Sequence, residues 1–264
     1  MSEAVRVGHS SLLPRARDEE DRILFYCAGM ENFKLKAFLL AAGHGTRLRP
    51  LTDKTPKCLL PIRGTPMLEI WLETCRRCGI DEVLINIHAH AELVRGFLRA
   101  RPSHVRVKVV EERVLLGSAG TLLANRAWVA TDPYFWVFYA DVLHNVDLAA
   151  MRQLHASRLP VATIGVYKVP DPTRCGVVEV TKDGIIAEFV EKPPVPRSNL
   201  AFAGLLIAAP ELLDAIPREP MVDIGFNVLP QLAGRMIAYP ISDYIIDVGT
   251  MDNYRKAQDE WPGF

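Results

Sequence analysis

Three observations predict an α/β fold built on a Rossmann-like, doubly wound mixed sheet. Short aliphatic or β-branched runs alternate with helical stretches between Lys36 and Asp141, the pattern of a parallel sheet with crossover helices. A glycine-containing loop follows the first of these runs. Beyond residue 160 the runs are separated by turn signals such as Lys182-Asp183-Gly184, so hairpins are expected there.

The first strand is read at Ala37–Ala41. Thr65-Pro66 reads as an N-cap followed by proline at the first helical position, opening a helix with Met67, Ile70, Trp71 and Thr74 on one face that stops at Gly79. A strand at Val83–Ile87, a helix near Ala91–Arg99 and a strand at Val105–Val110 come next. Ser118 is expected to cap a helix through about Ala127, and Phe135–Tyr139 is a strand running to Asp141. In the second half, strands are expected at Val161–Val169, Gly176–Val180, Ile185–Val190, Phe202–Ala208 and Tyr244–Val248. Helical pieces are expected near Pro210–Ala215, Asp223–Leu232 and Thr250–Glu260. No low-complexity linker or internal repeat divides residues 30–264, which are read as one unit of two lobes sharing a sheet. Residues 1–29 show no sustained period and are expected to be a poorly ordered extension, with Met30 a candidate start for the functional unit.

Composition narrows the function classes. Among 264 residues, 31 Lys+Arg balance 31 Asp+Glu, which removes the global field on which nucleic-acid binders rely, and no local basic patch replaces it. No apolar run approaches the roughly 20 residues that cross a bilayer, and the N-terminus lacks the order of a signal peptide. A soluble cytoplasmic protein with neither nucleic-acid nor membrane partner is expected. The five cysteines, Cys27, Cys58, Cys75, Cys78 and Cys175, are expected as reduced thiols, since Cys75 and Cys78 lie at a helix end without a second pair to complete a zinc site. His44, His88, His90, His104, His144 and His155 form no metal-ligand spacing, and His88 with His90 reads as a loop pair.

The chemistry concentrates after the first strand, in Leu40-Ala41-Ala42-Gly43-His44-Gly45-Thr46-Arg47-Leu48-Arg49-Pro50-Leu51-Thr52 and Pro56-Lys57. Glycines there let backbone N–H groups approach an anion that side chains would exclude. The dinucleotide fingerprint is not met, because its third glycine is missing at position 48, and no Gly-Lys-Ser/Thr completes a P-loop. Arg47 and Lys57 add two cations, which suits a substrate with several phosphates.

This loop resembles the signature of the sugar-1-phosphate nucleotidyltransferases, the nucleoside-diphosphate-sugar pyrophosphorylases. The likeness continues in order through Leu116-Gly117-Ser118-Ala119-Gly120, Asp141, Arg174-Cys175-Gly176-Val177-Val178, Glu191-Lys192-Pro193 and Asp247-Val248-Gly249-Thr250, covering residues 35–260. The resemblance implies a single catalytic domain of the nucleotidyltransferase fold. In the implied reaction a sugar 1-phosphate oxygen attacks the α-phosphorus of a nucleoside triphosphate and displaces pyrophosphate. Position by position, it implies that Arg47 holds the triphosphate and steadies the leaving pyrophosphate, and that Lys57 neutralises the α-phosphate region. Ala41, Ala42, Gly43, Gly45, Thr46, Glu112 and Gly117 would contact the nucleotide. Gly176, Glu191 and Lys192 would hold the sugar phosphate, and Asp141 and Asp247 would hold Mg²⁺.

Glu112 bears on the base. A carboxylate can bridge the two adjacent donors of guanine, which points to GTP, whereas a loop carboxylate facing water is the alternative. Two departures from the family pattern stand out: Ala140 precedes Asp141 where glycine is common, and Phe202 stands where an asparagine often touches the sugar. GTP with mannose 1-phosphate or a related sugar is the expected pair, and glucose, a heptose and an amino sugar stay open. The competing readings are a uridylyl-, thymidylyl- or cytidylyltransferase for another phosphorylated metabolite, and a noncatalytic nucleotide-sugar sensor. No hexapeptide-repeat tail is expected, and a homo-oligomer stays open.

Overall fold

In the computed structural model, residues 33–263 apart from Pro102 are described, and the chain from Phe33 onward forms one compact unit. The expectations for residues 1–29, for Cys27 and for Met30 lie outside the described residues.

The elements run β1 (Lys36–Leu40), β2 (Pro61–Ile62), β3 (Thr65–Pro66), α1 (Met67–Arg77), β4 (Glu82–Ile87), α2 (Ala91–Ala100), β5 (Arg106–Glu111), α3 (Ser118–Ala124), β6 (Phe135–Tyr139) and β7 (Val142–His144). There follow α4 (Leu148–Arg158), β8 (Ala162–Lys168), β9 (Gly176–Val180), β10 (Ile186–Glu191), β11 (Leu200–Ala208), β12 (Met236–Pro240), β13 (Ile245–Asp247) and α5 (Met251–Glu260). The main sheet is ordered β10-β9-β11-β6-β1-β4-β5, with β8 pairing β11 and β12. β1 lies parallel to β4 on one side and β6 on the other, while β11 runs antiparallel to β6. The chain therefore winds away from β1 in both directions, and a crevice opens beyond the carboxyl ends of β1 and β6. The loop after β1 and Asp141 both lie there.

Phe38, Leu84, Phe135 and Val137 of the central strands are fully buried in the main core with residues of α3 and the second half. A second cluster joins Leu48, Leu60, Ile62, Met67 and Ile70 to Leu143, Ile246, Val248 and Trp261. It fastens the loop after β1 to β13 and α5, and so holds two stretches of the site together.

Several local expectations are corrected. Thr65 does not cap α1: Arg63 and Gly64, both at positive φ, make a tight turn that pairs Ile62 with Thr65, and Pro66 takes the N-cap position. Ser118 does not cap α3, because its hydroxyl donates to Asp223 Oδ2 at 2.8 Å and accepts from the Ile224 amide at 2.7 Å. That helix ends at Ala124, and Arg126–Trp128 is a 3-10 turn. The helical pieces expected near Asp223–Leu232 are present as a π-turn over Ile224–Val228 and a 3-10 turn over Leu229–Leu232, where Pro230 has no N–H to continue an α-ladder. β13 pairs with β7 rather than the main sheet.

Cys58, Cys75, Cys78 and Cys175 are free thiols, and burial pushes Cys58 up to about 12. Burial also depresses His144 and His155 to about 4. A group that binds its proton less readily when folded supports stability in full above its ordinary value near 6.5, and that support is lost as pH falls toward 4. The loss is on the order of 3 kcal/mol for each histidine. Thermal unfolding between pH 7 and 4.5 is expected to show a steep fall in Tm that His144→Gln together with His155→Gln flattens; an unchanged slope in that double variant would assign the acid sensitivity elsewhere.

Candidate active site

The loop after β1 leaves donors open. The amides of Gly43, His44 and Gly45 find no acceptor among the described residues, so three N–H groups are available to an anion. Gly45 has φ 63°, and the turn it makes is closed by Thr52 Oγ1 donating to the Gly45 carbonyl at 2.8 Å. Ala41 is different: its amide donates to Asn86 Oδ1 at 2.7 Å and is not open to phosphate. A cavity of about 240 Å³ lies against this loop, lined by Ala41, Ala42 and Gly43, by Lys57 and Asp141, and by Asn86, Glu112, Gly117 and Tyr139. Thr46 begins the short 3-10 turn that carries Arg47.

Lys57 and Asp141, which line the cavity, gather with Arg47 and Asp247. Lys57 Nζ lies 2.5 Å from Asp141 Oδ2, with the lysine side chain only 11% exposed. The Val248 amide donates to the Asp141 carbonyl at 2.8 Å, and Asp247 pairs with Val142 across β13 and β7, so the two aspartates are carried on one small ribbon. A Cβ on Gly249 would sit 2.7 Å from Asp247 Oδ1 and 3.0 Å from Arg47 Nη2, which places that carboxylate and that guanidinium side by side. Asp247 keeps an exposed edge, yet surrounding protein and the Asp141 carboxylate push its carboxyl up, opposed by Lys57 and Arg47. Two carboxylates that repel one another, with cations beside them, are hard-oxygen donors of the kind Mg²⁺ takes in partnership with phosphate. Among the described residues no cluster of three or more His, Cys, Asp or Glu forms a protein-only cage.

A second cluster holds Gly176, Glu191 and Lys192. Gly176 faces Glu191 across β9 and β10, and a Cβ there would meet Glu191 Oε2 at 2.6 Å. One on Gly225 would meet the same oxygen at 2.5 Å. Two glycines thus make room for one carboxylate, whose pKa burial raises. Lys192, at φ 50°, brings Nζ to 3.5 Å from Glu191 Oε1 and 5.0 Å from the Phe226 ring centre. Tyr139 lies between the clusters: burial raises its hydroxyl, and Asp223, Glu191 and Asp141 act in the same sense. Phe202 packs edge-on against Tyr139 and Phe189, so its position offers a ring and no hydrogen bond.

Glu112 does not face water. It is 4% exposed, and it accepts from Asn86 Nδ2 at 2.9 Å, Thr121 Oγ1 at 2.5 Å and the Leu116 amide at 3.1 Å. Three of about four acceptor positions are filled, which leaves one and not the pair needed to bridge both guanine donors. His88 Nδ1 lies 2.7 Å from the Glu112 carbonyl oxygen, and the His44 ring packs edge-on at 4.9 Å from His88. Gly117 has φ 78°, and a Cβ there would run into the Val222 backbone. Asn86, Thr121, Asp223 and Gly225 belong to no motif in the sequence. Only Asn86 carried a usable signal, as a lone amide in the apolar run Val83-Leu84-Ile85-Asn86-Ile87.

An open α/β sheet with an anion-ready loop, two cations and two carboxylates at its switch point has the make-up of a phosphate-handling site. The Nucleotidyl transferase family profile matches residues 36–262, and the chain belongs to that family. It is 32% identical over 228 residues to "Mannose-1-phosphate guanylyltransferase 1" of Arabidopsis thaliana, covering 83% of this chain and 63% of that protein. It is 30% identical over 252 residues to "Mannose-1-phosphate guanylyltransferase catalytic subunit beta" of Xenopus tropicalis, covering 87% of this chain and 69% of that protein. The chain thus spans roughly two thirds of the length of these relatives. A UDP-glucose pyrophosphorylase structure from Acinetobacter baumannii superposes with a TM-score of 0.74 at 24% identity, over 86% of this chain and 92% of that one, and shows the same fold. No helix among the described residues is long and apolar enough to cross a membrane.

Proposed function

We propose that this chain transfers a nucleotidyl group from a nucleoside triphosphate to a sugar 1-phosphate, releasing pyrophosphate, with GTP and mannose 1-phosphate as the leading pair. The observation that carries the reading is the gathering of Arg47, Lys57, Asp141 and Asp247 beside a cavity whose loop offers three open amides. The names of the relatives support the guanylyl and mannose assignments. The single acceptor left on Glu112 equally suits the one N3–H of uracil or thymine, so a pyrimidine triphosphate is the second reading.

The chemistry needs no covalent intermediate on the protein. A sugar phosphate oxygen forms a bond to the α-phosphorus while the bond to the β-phosphate bridging oxygen breaks, and the electron pair leaves with pyrophosphate. Two anions must be held in line, and charge grows on the leaving group. Open loop amides with Arg47 hold the β- and γ-phosphates and meet that charge, and Lys57 lies over the α-phosphate. Asp141 and Asp247 would hold Mg²⁺, which would supply neutralisation of phosphate charge there. Lys192 pairs with the sugar phosphate, Glu191 accepts from sugar hydroxyls, and Gly176 makes the room that Glu191 needs. A cytoplasmic setting goes with this reading.

The test is pyrophosphate release with Mg²⁺ across a matrix of nucleoside triphosphates and sugar 1-phosphates. Sugar-dependent release with GTP supports the leading pair; release confined to UTP or dTTP supports the second reading. Nucleotide binding with no release across the panel would replace the enzyme with a sensor. Within an active enzyme, Lys192→Ala is expected to raise KM for the sugar phosphate about tenfold and leave KM for the triphosphate within twofold. Equal loss of both would misplace this lysine.

A further inference from the structure

Asn86 is an amide in an otherwise apolar parallel strand, 4% exposed at the carboxyl end of β4. Both ends of its side chain are used. Oδ1 accepts from the Ala41 amide at 2.7 Å, while Nδ2 donates to Glu112 Oε1 at 2.9 Å and to Thr121 Oγ1 at 3.0 Å. Thr121, fully buried in α3, donates its hydroxyl proton to the same Glu112 oxygen. The donor at Ala41 fixes which end of the amide is oxygen, and the Thr121 proton goes to Glu112 at 2.5 Å rather than to the Gly117 carbonyl at 3.1 Å, the longer contact. Four segments meet in it: the start of the phosphate loop, the end of β4, the residue after β5 and α3. All of its polar members except Thr121 line the nucleotide cavity.

We infer that Asn86 and Thr121 are positioning residues that fix the Glu112 carboxylate as a base reader and tie it to the first residue of the phosphate loop. The inference rests on the proposed nucleotide site. A carboxylate on a loop would otherwise swing among rotamers, and a swinging acceptor selects no base. With two donors on Oε1 and the Leu116 amide on Oε2, it has one orientation and one acceptor position to offer. The link through Ala41 sets the distance between base reader and phosphate cradle, so a nucleotide is gauged at both ends by one buried unit. Its function is selection among nucleotides, separate from the sugar side.

Thr121→Val keeps the shape and removes one donor from Glu112. In steady-state pyrophosphate release it is expected to raise KM for the preferred triphosphate about tenfold and reduce its preference over the next triphosphate by a similar factor. KM for the sugar phosphate should stay within twofold, and Thr121→Ser should restore both nucleotide values. A rise in both KM values together, an unchanged preference with only a lower Tm, or no rescue by serine would overturn the inference. Should the valine variant not fold, Asn86→Asp carries the same test, because it sets a second carboxylate against Glu112; the same preference must then collapse. If the wild type binds triphosphates without turnover, the preference is read from their Kd values, so the reaction can fail while the positioning role stands. An unchanged ratio of Kd values would overturn it there too, and no binding of any nucleotide would remove both.

Discussion

Asp141→Asn and Asp247→Asn are each expected to lower pyrophosphate release about 100-fold or more at saturating substrates, with the fold kept. The two carboxylates face one another and the cations and take little part in either core. Asn keeps the shape and loses the charge that a divalent ion needs. The stability effects should differ in sign. Asp247 carries repulsion from Asp141 in the resting protein, so neutralising it should hold or raise Tm. Neutralising Asp141 leaves Lys57, whose side chain is 11% exposed, without its 2.5 Å partner, and Tm should fall by a few degrees. Near-normal turnover in both variants would remove the two-carboxylate site; matching loss of Tm and activity would make the carboxylates structural.

The legible parts of this chain are those where one residue type has one physical use. Glycines with cations after a parallel strand mark an anion loop, and Asp141 at the end of β6 and Asp247 at the end of β13 are placed by strand ends alone. Tertiary context decided what the sequence left obscure. α4 has an N-cap, Asp147, that accepts from the Ala150 amide, yet its buried stripe is Leu148, Met151 and His155, and a histidine does not read as an apolar position. β7 is three residues long and takes its meaning from β13, which lies about a hundred residues later. Ser118 reads as a cap from its neighbours, but Asp223 and the Ile224 amide claim its hydroxyl from the far side of the chain. Glu112 shows the limit at a candidate position: its residue type is visible, while the three donors that fill most of it come from Asn86, Thr121 and Leu116.

Gly117→Ala is expected to cost about 3 kcal/mol or more, a fall in Tm of about 10 °C. At φ 78° and ψ 165°, a region that essentially only glycine occupies, a side chain is strained by about 1–3 kcal/mol before any contact is counted. The new Cβ would then stand 2.3 Å from the Val222 carbonyl oxygen and 2.9 Å from its nitrogen. Val222 cannot yield cheaply. Its oxygen accepts from the Ala119 and Gly120 amides at 2.9 and 3.2 Å, and its own amide donates to the Leu116 carbonyl at 2.9 Å. Gly64→Ala is the control, because Gly64 has φ 84° with nothing within 4 Å of its Cβ position, so it should show the conformational part alone, about 1–2 kcal/mol. The excess at Gly117 measures the backbone contact together with the added strain of its extended ψ. That contact also has a functional reading, since Val222 leads into Asp223, which Ser118 ties to the nucleotide side. Moving Val222 should therefore raise KM for both substrates together, in contrast to Lys192→Ala and Thr121→Val, which each move one. If Gly117→Ala cost no more than Gly64→Ala, the Val222 clamp would be looser than its three hydrogen bonds imply; a rise confined to the triphosphate KM would instead make Gly117 a nucleotide contact in its own right.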